Sequence, residues 1–469
     1  MKFEQKCHIL NDRIKETKKR EKLCFVLCDK FWSALRNSIN IIPDIRPDII
    51  IAERWGYFTK SDFILEEWGV IGDTHYCTWK DWINWELIKR AENQRVKFFS
   101  WTPKQQLLNI GEFLCPESSA RDFIEDKTNL KFILSNAGID VEAFTLRHDN
   151  FESTDCISEF QLLAEKYWLP FVMQWTSKWW DGTIIVRTVE DFEKRIGLVG
   201  KIRISEFCNK QYSSIYACTI PSNEKHADAK VVMDRPAFKV VGVSSHGIPE
   251  VLGGGCNWWQ VPNIDPWETI QNVKKIWVYL SKKFWYKWSF VLEWFFINGR
   301  FVFNELNARL GWGNEVSGFN QVRHWEIPIQ AIHYALQLGI YCHDLLDEHE
   351  FHQKHFDTSR GWCFYFKLLG KNRADFRVGS LNNGTYSFQS NLIHMSDEID
   401  PHKVGIEDKG FVISNLPRTS TLCRGDSHIC MVEGISHPAD ELITWPRDVN
   451  GLVLQISDLV YNSLVYEQR

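Results

Sequence analysis

The stretch FVLEWFFINGRFVFNELNARLGWGNE, residues 290–315, decides the fold because it joins a hairpin signal to polar residues on apolar strands. Two runs of β-branched and aromatic residues flank Asn298-Gly299, a dipeptide that favours a tight turn between antiparallel strands. Side chains alternate between the two faces of a strand, so Glu293 shares one face with Val291 and Phe295. The pattern predicts a hairpin that carries an acid on an apolar face.

Glu305 and Asn307 lie on one face of the second strand, and the register decides whether they meet Glu293. A two-residue loop pairs Glu293 with Asn304. A turn over residues 298–300 instead pairs it with Glu305, and we expect this second register. Two carboxylates on an apolar face are costly unless a cation lies between them, and oxygen ligands on neighbouring strands suit Mg2+. The alternative is an edge hairpin whose acids face water.

Four residues of this stretch resemble the C-terminal half of the ATP-grasp fold: Glu293, Glu305, Asn307 and Arg309, spaced as Glu-x11-Glu-x-Asn-x-Arg. The spacing is similar to that of biotin carboxylases position for position. The resemblance implies that Glu293, Glu305 and Asn307 hold the Mg2+ ions that bridge the phosphates of ATP. It also implies that Arg309 lies next to the phosphoryl group that is transferred.

Composition limits the class of protein. A chain of 469 residues is too long for one ordinary core, so we expect two to three domains. The net charge of −5 and the pI of about 6.3 give no reason to expect a nucleic-acid or membrane partner. The N-terminus has no signal-peptide core and the 13 cysteines include no Cys-x2-Cys pair, which favours a cytoplasmic protein with reduced thiols. The 22 tryptophans far exceed average usage, and the sequence offers no functional explanation for them.

The N-terminal region alternates short apolar runs with helical patterns. Residues 1–22 predict a charged, exposed helix, and residues 23–28, 47–52 and 96–101 have the length of buried parallel strands. Thr102-Pro103 is a good start for a further helix. This order predicts a small doubly wound α/β domain. Because no glycine-rich fingerprint follows the first strand, we expect no nucleotide site there.

The segment from Asp126-Lys127 to Gly138 predicts a helix that a glycine ends, and it resembles the segment that begins the central ATP-grasp domain. By that resemblance Lys127 reaches toward the nucleotide phosphates, whereas a lysine judged alone would be a solvated surface charge. Gln174, at the end of the predicted strand 169–174, stands where most ATP-grasp enzymes have a lysine that touches the phosphates.

The loop of residues 175–183 occupies the place of the glycine-rich flap that closes over the phosphates. It keeps only Gly182 and carries Trp179 and Trp180 in its middle, so Lys178 is the residue that could supply the missing charge. Stand-alone peptide ligases of the superfamily are similar in having glutamine at the end of the preceding strand. The departure therefore favours that subfamily at least as much as an inactive site.

The resemblance also places nucleotide-binding residues at the end of the predicted strand 201–207. Glu206 and Phe207 would lie beside the base and ribose, although Glu206 alone could equally be a strand-end charge. The run Gly253-Gly-Gly255 predicts a flexible turn, since no helix opens after it. Gly313 stands where biotin carboxylases have a glutamate used for bicarbonate, which argues against carboxylation.

The C-terminal third carries no recognisable chemistry. Residues 328–346 predict one long helix. His349, His352 and His355 follow at intervals of three and predict a polar helix end rather than a metal site. From residue 361 onward, short strands and a last helix predict a small α+β cap.

We therefore predict an α/β chain, α+β in its ATP-grasp part: a Rossmann-like pre-ATP-grasp domain (1–117), an ATP-grasp domain (118–330), and a C-terminal helix with a small α+β cap (331–469). The resemblance implies an ATP- and Mg2+-dependent ligase that joins a carboxylate to an amine, nearest the stand-alone peptide ligases. The expected partners are small-molecule or peptide substrates and, as an option, a second copy in a homodimer, with no nucleic acid or membrane. Two alternatives stay open: a non-catalytic ATP-binding protein, and another ATP-grasp reaction such as carboxylation.

Overall fold

The structure is a computed structural model, and its description covers most of the chain. The described residues are 1–28, 38–52, 75–78, 89, 91–99, 108–115, 117–152, 158–175, 182–193, 200–222, 229–248, 250, 253–258, 266–286, 288–311, 313–356, 362–370, 374–388, 392–396, 410–414, 416, 422–423, 425, 428–436, 443–444, 448–449 and 451–467. The helix predicted from Thr102-Pro103 lies outside them.

An N-terminal parallel sheet confirms the predicted α/β start of the chain. Helix α1 precedes five strands in the order β3-β2-β1-β4-β5, all parallel. The bounds are α1 Phe3–Glu21, β1 Leu23–Cys28, β2 Ile49–Ala52, β3 His75–Thr78, β4 Arg95–Phe99 and β5 Glu112–Leu114, with a 3-10 turn at Pro43–Ile45. The expectation that α1 is simply exposed is wrong, because its apolar stripe of Cys7, Leu10 and Ile14 is buried in the core.

A small antiparallel sheet follows, in the order β6-β9-β7-β8. Its region comprises α2 Ser118–Glu125, a 3-10 turn Lys127–Asn129, α3 Leu130–Asn136, α4 Val141–Phe144, β6 His148–Glu152, α5 Ser158–Tyr167, β7 Phe171–Trp175, β8 Thr183–Val186, α6 Val189–Glu193 and β9 Lys201–Glu206. Gly138 has φ +72° after α3, so the predicted glycine end of that helix is confirmed.

A large antiparallel sheet forms the centre, in the order β15-β14-β10-β12-β13-β16-β21-β20-β18-β19, with β11 paired to β10. Its strands are β10 Gln211–Ile220, β11 Lys230–Met233, β12 Ala237–Val241, β13 Gly253–Asn257, β14 Ser289–Ile297, β15 Arg300–Asn307, β16 Trp362–Leu369, β18 Gly384–Phe388, β19 Leu392–Ser396, β20 Gly410–Ser414 and β21 His428–Ser436. Helix α7, Pro266–Phe284, packs against it through Ile270, Val273 and Ile276.

The hairpin β14–β15 corrects the predicted turn and confirms the predicted pairing. The loop has two residues, because Ile297 pairs with Arg300 around Asn298-Gly299. The register shifts next to Glu293, where Asn304 is the extra residue of a β-bulge. Glu293 is therefore directly opposite Glu305, as expected, although the bulge rather than a longer turn brings this about.

The run Gly253-Gly-Gly255 is not a flexible turn but the start of strand β13, which corrects the sequence analysis. The register of β12 with β13 shifts between Val240 and Val241. A Cβ atom at Gly253 would lie 2.7 Å from Cε of Lys239. Glycine at this position therefore leaves room for the lysine stem to lie across the sheet.

The segment after the hairpin also differs from expectation. The long helix predicted over 328–346 ends at Gln337, because Gly339 takes φ +72° and stops it. The chain continues as a 3-10 turn at His343–Leu345 and a helix at Glu348–Phe356 that contains all three histidines. His352 and His355 are buried, so the predicted polar helix end is wrong at these two positions. The helices here are α8 Asn314–Arg323, α9 Ile329–Gln337 and α10 Glu348–Phe356.

Helix α9 joins the N-terminal sheet to the central sheet. Every residue of Ile329–Gln337 is buried. The Tyr334 ring stacks on Phe99 of β4 with centroids 3.8 Å apart, while Cys218 of β10 belongs to the same hydrophobic cluster. The apolar core between the two sheets is therefore continuous.

The C-terminal strands extend the central sheet, because β16 pairs with β13 and β21 pairs with β16. The remaining elements are β17 Phe376–Val378 paired with β24 Leu464–Tyr466, β22 Ile443–Thr444 paired with β23 Asp448–Val449, a 3-10 turn at Ser244–His246 and helix α11 Gly451–Asn462. The division into domains ending at residues 117 and 330 stays a prediction. Among the described residues, no helix is both long and apolar enough to cross a membrane. Of the nine cysteines whose side chains the structure describes, none forms a disulfide, and all but Cys208 are buried.

Candidate active site

Two carboxylates with lysine partners form the centre of the site. Glu293 and Glu305 face each other on β14 and β15. Lys239 of β12 forms an ion pair with Glu293, and Nζ of Lys127 lies 3.1 Å from Oε2 of Glu305. Burial by itself raises the pKa of Glu305, but the charges of Lys127 and Lys239 outweigh it, and the pKa lies below its usual range. Cations from distant parts of the chain therefore pair with both acids.

Lys239 and Tyr212 are functional candidates that the sequence analysis missed. The Lys239 ammonium lies 5.2 Å from the centre of the Tyr212 ring. The Tyr212 hydroxyl donates a 2.5 Å hydrogen bond to Oε2 of Glu293. Burial lowers the pKa of Lys239, but the charges of Glu293 and Glu305 raise it by more. The available signal was a single charge inside the otherwise apolar strand Ala237–Val241.

A buried arginine holds the bulge that aligns the two acids. Arg203 of β9 donates through Nη1 to the Asn304 carbonyl oxygen at 2.7 Å and through Nη2 to Asn304 Oδ1 at 2.5 Å. Asn304 Nδ2 donates to the Tyr212 hydroxyl at 3.0 Å. Burial lowers the pKa of Arg203 to about 10. The extra residue of the hairpin is thus fixed from both sides by side chains of other strands.

Asn307 and Arg309 continue the chain past Glu305. Asn307 Nδ2 donates a 2.9 Å hydrogen bond to Oε1 of Glu305. The amide oxygen of Asn307 is the atom that could coordinate a cation. Arg309 pairs through Nη1 with Oε2 of Glu125, the last residue of α2. Burial raises the pKa of Glu125, with the Arg309 charge acting against it. Oε1 of Glu125 has no hydrogen-bond partner within the described part of the chain.

Solved structures share this arrangement of sheets. Carboxyaminoimidazole ribonucleotide synthase from Aspergillus clavatus, complexed with ATP, matches over 88% of this chain and 93% of its own, at 10% identity and a TM-score of 0.53. The biotin carboxylase domain of Hydrogenobacter thermophilus 2-oxoglutarate carboxylase matches over 88% and 86%, at 12% identity and a TM-score of 0.54. Phosphoribosylamine–glycine ligase from Thermotoga maritima matches over 95% and 97%, at 11% identity and a TM-score of 0.51.

The chain has the ATP-grasp fold. The fold predicted from the hairpin is therefore confirmed. No protein-family model and no curated protein matches the sequence. At identities of 10–12% the solved structures establish the fold and not the reaction.

Within this ATP-grasp fold, two other predicted site residues, Gln174 and Glu206, lie on the small sheet. Gln174 is opposite Arg203 in the register of β7 and β9, and its Nε2 lies 3.4 Å from Thr183 Oγ1. Gln174 Oε1 is buried and has no hydrogen-bond partner among the described residues. Glu206 accepts a 3.3 Å hydrogen bond from the Arg147 backbone N–H.

The contacts of the predicted residues divide them into two groups. Phe207 follows β9 and is partly buried, and Lys178 lies outside the described residues. Lys127, Glu293, Glu305 and Asn307 meet at the hairpin, whereas no contact described in this structure joins Glu206 or Phe207 to them. The nucleotide-binding roles of all these residues stay predictions.

The oxygen atoms at the hairpin fit a hard divalent cation. Two carboxylates and the Asn307 amide oxygen are the ligand types that Mg2+ prefers, and Mg2+ commonly completes its shell with substrate phosphates and water. The described residues include no group of three or more His, Cys, Asp or Glu arranged around a metal.

Proposed function

We propose that this protein is an ATP-dependent ligase that joins a carboxylate to an amine through an acyl phosphate. The observation that carries the proposal is the register of Glu293 opposite Glu305, with Lys239 and Lys127 paired to them. Phosphoryl transfer needs positioning and charge neutralisation more than a protein nucleophile. Paired acids and cations on one sheet face meet that need.

Each site residue has a proposed role toward ATP. Glu293, Glu305 and Asn307 would hold Mg2+, which would neutralise phosphate charge when bound. Lys127 and Lys239 would then release their acid partners and contact phosphate oxygens. Four further residues would contact the nucleotide, as the resemblance implies: Gln174, Lys178, Glu206 and Phe207.

Arg309 is proposed as the catalytic residue. A substrate carboxylate oxygen attacks the γ-phosphorus of ATP, a P–O bond forms, and the bond to the β,γ-bridging oxygen breaks as ADP leaves. The planar guanidinium of Arg309 would meet two oxygens of the transferring group. The amine nitrogen then attacks the acyl carbon, the C–O bond to phosphate breaks, and the amine loses a proton as the amide forms.

Carboxylation is the second candidate, because two of the matching structures are a carboxyaminoimidazole ribonucleotide synthase and a biotin carboxylase domain described with bicarbonate. Gly313 argues against carboxylation of the biotin-carboxylase type. A Cβ atom at Gly313 would lie 2.0 Å from the Tyr216 hydroxyl oxygen, so the space for an acidic side chain is filled. This favours an organic carboxylate, including the peptide or amino-acid type that Gln174 suggests.

The test is ADP release with ATP and Mg2+ across panels of carboxylates and amines, with mass spectrometry of the products. We expect ADP only when both substrates are present and a product mass equal to acid plus amine minus water. ADP release that requires bicarbonate would assign carboxylation. Tight Mg·ATP binding without ADP release in any mixture would favour the non-catalytic alternative. We also propose a cytoplasmic location and leave the homodimer to a measurement of mass in solution.

A further inference from the structure

Three exposed tryptophans have the left-handed backbone conformation at the ends of helices. Trp168 follows α5 with φ +65°, Trp285 follows α7 with φ +54°, and Trp325 comes two residues after α8 with φ +62°. Their exposed fractions are 77%, 87% and 56%. Glycine is the usual residue at this position because it has no Cβ atom to clash.

The end of α8 uses the hydrogen bonds with which this chain ends helices at glycine. The Trp325 N–H donates to the Val322 carbonyl oxygen at 3.0 Å, and the Glu326 N–H donates to the Gln321 carbonyl oxygen at 2.9 Å. The same two bonds close α3 around Gly138 and α9 around Gly339, which both have φ +72°. Trp325 therefore occupies a position that glycine fills elsewhere in the same protein.

Packing does not offset the conformational cost at these positions. Among the described rings, Trp325 contacts only Phe3, in an edge-to-face arrangement with ring centroids 5.9 Å apart. More than half of the Trp325 surface is exposed to solvent. Among the described residues, five non-glycine residues have positive φ, and three of them are tryptophan. The other two are Lys22 and Asn298, and asparagine tolerates this conformation.

Buried tryptophans of the core show the contrast. Trp294 stacks on Phe301 with ring centroids 4.0 Å apart. Trp277 stacks on Phe290 with ring centroids 5.9 Å apart. Both are almost completely buried and have ordinary helix or strand conformations. Side-chain packing accounts for tryptophan at these two positions and not at the helix ends.

We infer that positions 168, 285 and 325 are glycine positions, and that their codons encode glycine in the source organism. One codon connects the two residues: UGA is read as tryptophan in some genetic codes and as glycine in others. The inference assigns three of the 22 tryptophans to glycine positions. It would extend to Trp179 and Trp180, which lie outside the described residues in the loop predicted to be a glycine-rich flap.

The direct test is the coding sequence together with peptide masses of the protein isolated from its source organism. We expect UGA at codons 168, 285 and 325, UGG at codons 277 and 294, and peptide masses that show glycine at the first three. UGG codons with tryptophan masses at the three helix ends would overturn the inference. UGA at codons 179 and 180 would extend the inference to the flap, and UGG there would limit it to the three helix ends.

A physical test uses the full chain with glycine substitutions. Trp168→Gly, Trp285→Gly and Trp325→Gly are each expected to raise the unfolding midpoint by about 1–3 °C. The matched controls Trp277→Gly and Trp294→Gly remove packed side chains and should lower it strongly or prevent folding. A fall at the helix ends comparable to that of the controls would refute the inference. Neither test depends on ATP binding or catalysis, so the proposed function can fail independently.

Discussion

The hairpin β14–β15 and the ends of helices α5, α7 and α8 differ in what decides the residue at a position. At the hairpin, Glu293 and Glu305 have cations, a tyrosine hydroxyl and an amide as partners, so side-chain chemistry decides. At the helix ends, Trp168, Trp285 and Trp325 are mostly in water, and the positive φ of the backbone decides.

The departures of this chain from the ATP-grasp pattern that it resembles are of two kinds. The acids, amide and arginine of the hairpin are all kept, while bulky Trp179 and Trp180 stand where the pattern has glycines. Gln174 and Gly313 are departures of another kind, because the residues they replace in the pattern carry a charge.

Arg309→Lys should have the largest effect and tests the hairpin side of the comparison. Lysine keeps the charge that pairs with Glu125 but loses the planar fork, so turnover should fall about 10²–10³-fold. ATP affinity should change little, because the fork is needed most in the transition state. ADP release and nucleotide affinity, measured side by side, check this. The control is Arg300→Lys, at the exposed first position of β15. Normal turnover of Arg309→Lys would remove the catalytic role.

Glu305→Gln should have the next largest effect, on binding. It removes a carboxylate that would hold Mg2+, and hydrogen bonds to charged groups contribute about 1.5–3 kcal/mol, so Mg·ATP affinity should fall roughly 10- to 100-fold. Affinities with and without Mg2+ give the measurement. Glu142→Gln, at an exposed residue of α4, is the control. An equal loss with and without Mg2+ would contradict the metal role.

Lys367→Met should have a smaller effect, visible in the pH dependence of stability. Burial and the Lys239 charge lower the pKa of Lys367 from 10.5 to about 7. Between these values the unfolded chain binds more protons at this residue, so the free energy of unfolding of the wild type should gain a contribution that rises with pH. Urea unfolding at about pH 7 and about pH 9 compares the variant with the control Lys15→Met, at an exposed residue of α1. If the free energy of unfolding of Lys367→Met still rises with pH as in the wild type, other groups cause the rise.

The smallest effect on activity is expected at the helix ends. Trp325→Gly should leave ADP release within about twofold of wild type, since the side chain is largely solvated and the substitution shifts stability instead. Turnover below the melting range, measured beside the unfolding midpoint, separates the two properties. A large loss of turnover with an unchanged midpoint would mean that this helix end belongs to the site. The contrast between the hairpin and the helix ends would then be wrong.

Local sequence patterns were sufficient to predict several individual helices, strands and turns. Alternation around Asn298-Gly299 predicted the hairpin, and the spacing of its acids pointed to the ATP-grasp fold that the structure has. The glycine at the end of α3 and the first parallel strands were likewise readable, because caps and short apolar runs depend on neighbouring residues.

Only the tertiary structure decided how distant segments complete the site. The bulge at Asn304 depends on Arg203 from another sheet, and Glu293 depends on Lys239 of a strand that reads as apolar. The glycine run became strand β13 because β12 and β16 flank it, and the C-terminal strands joined the central sheet through it. The sequence alone determined the hairpin, the first parallel strands and which residues could carry charge. Which strands pair, and which cation meets which acid, follows from burial and hydrogen bonding between segments far apart in the chain, and these have no local signature.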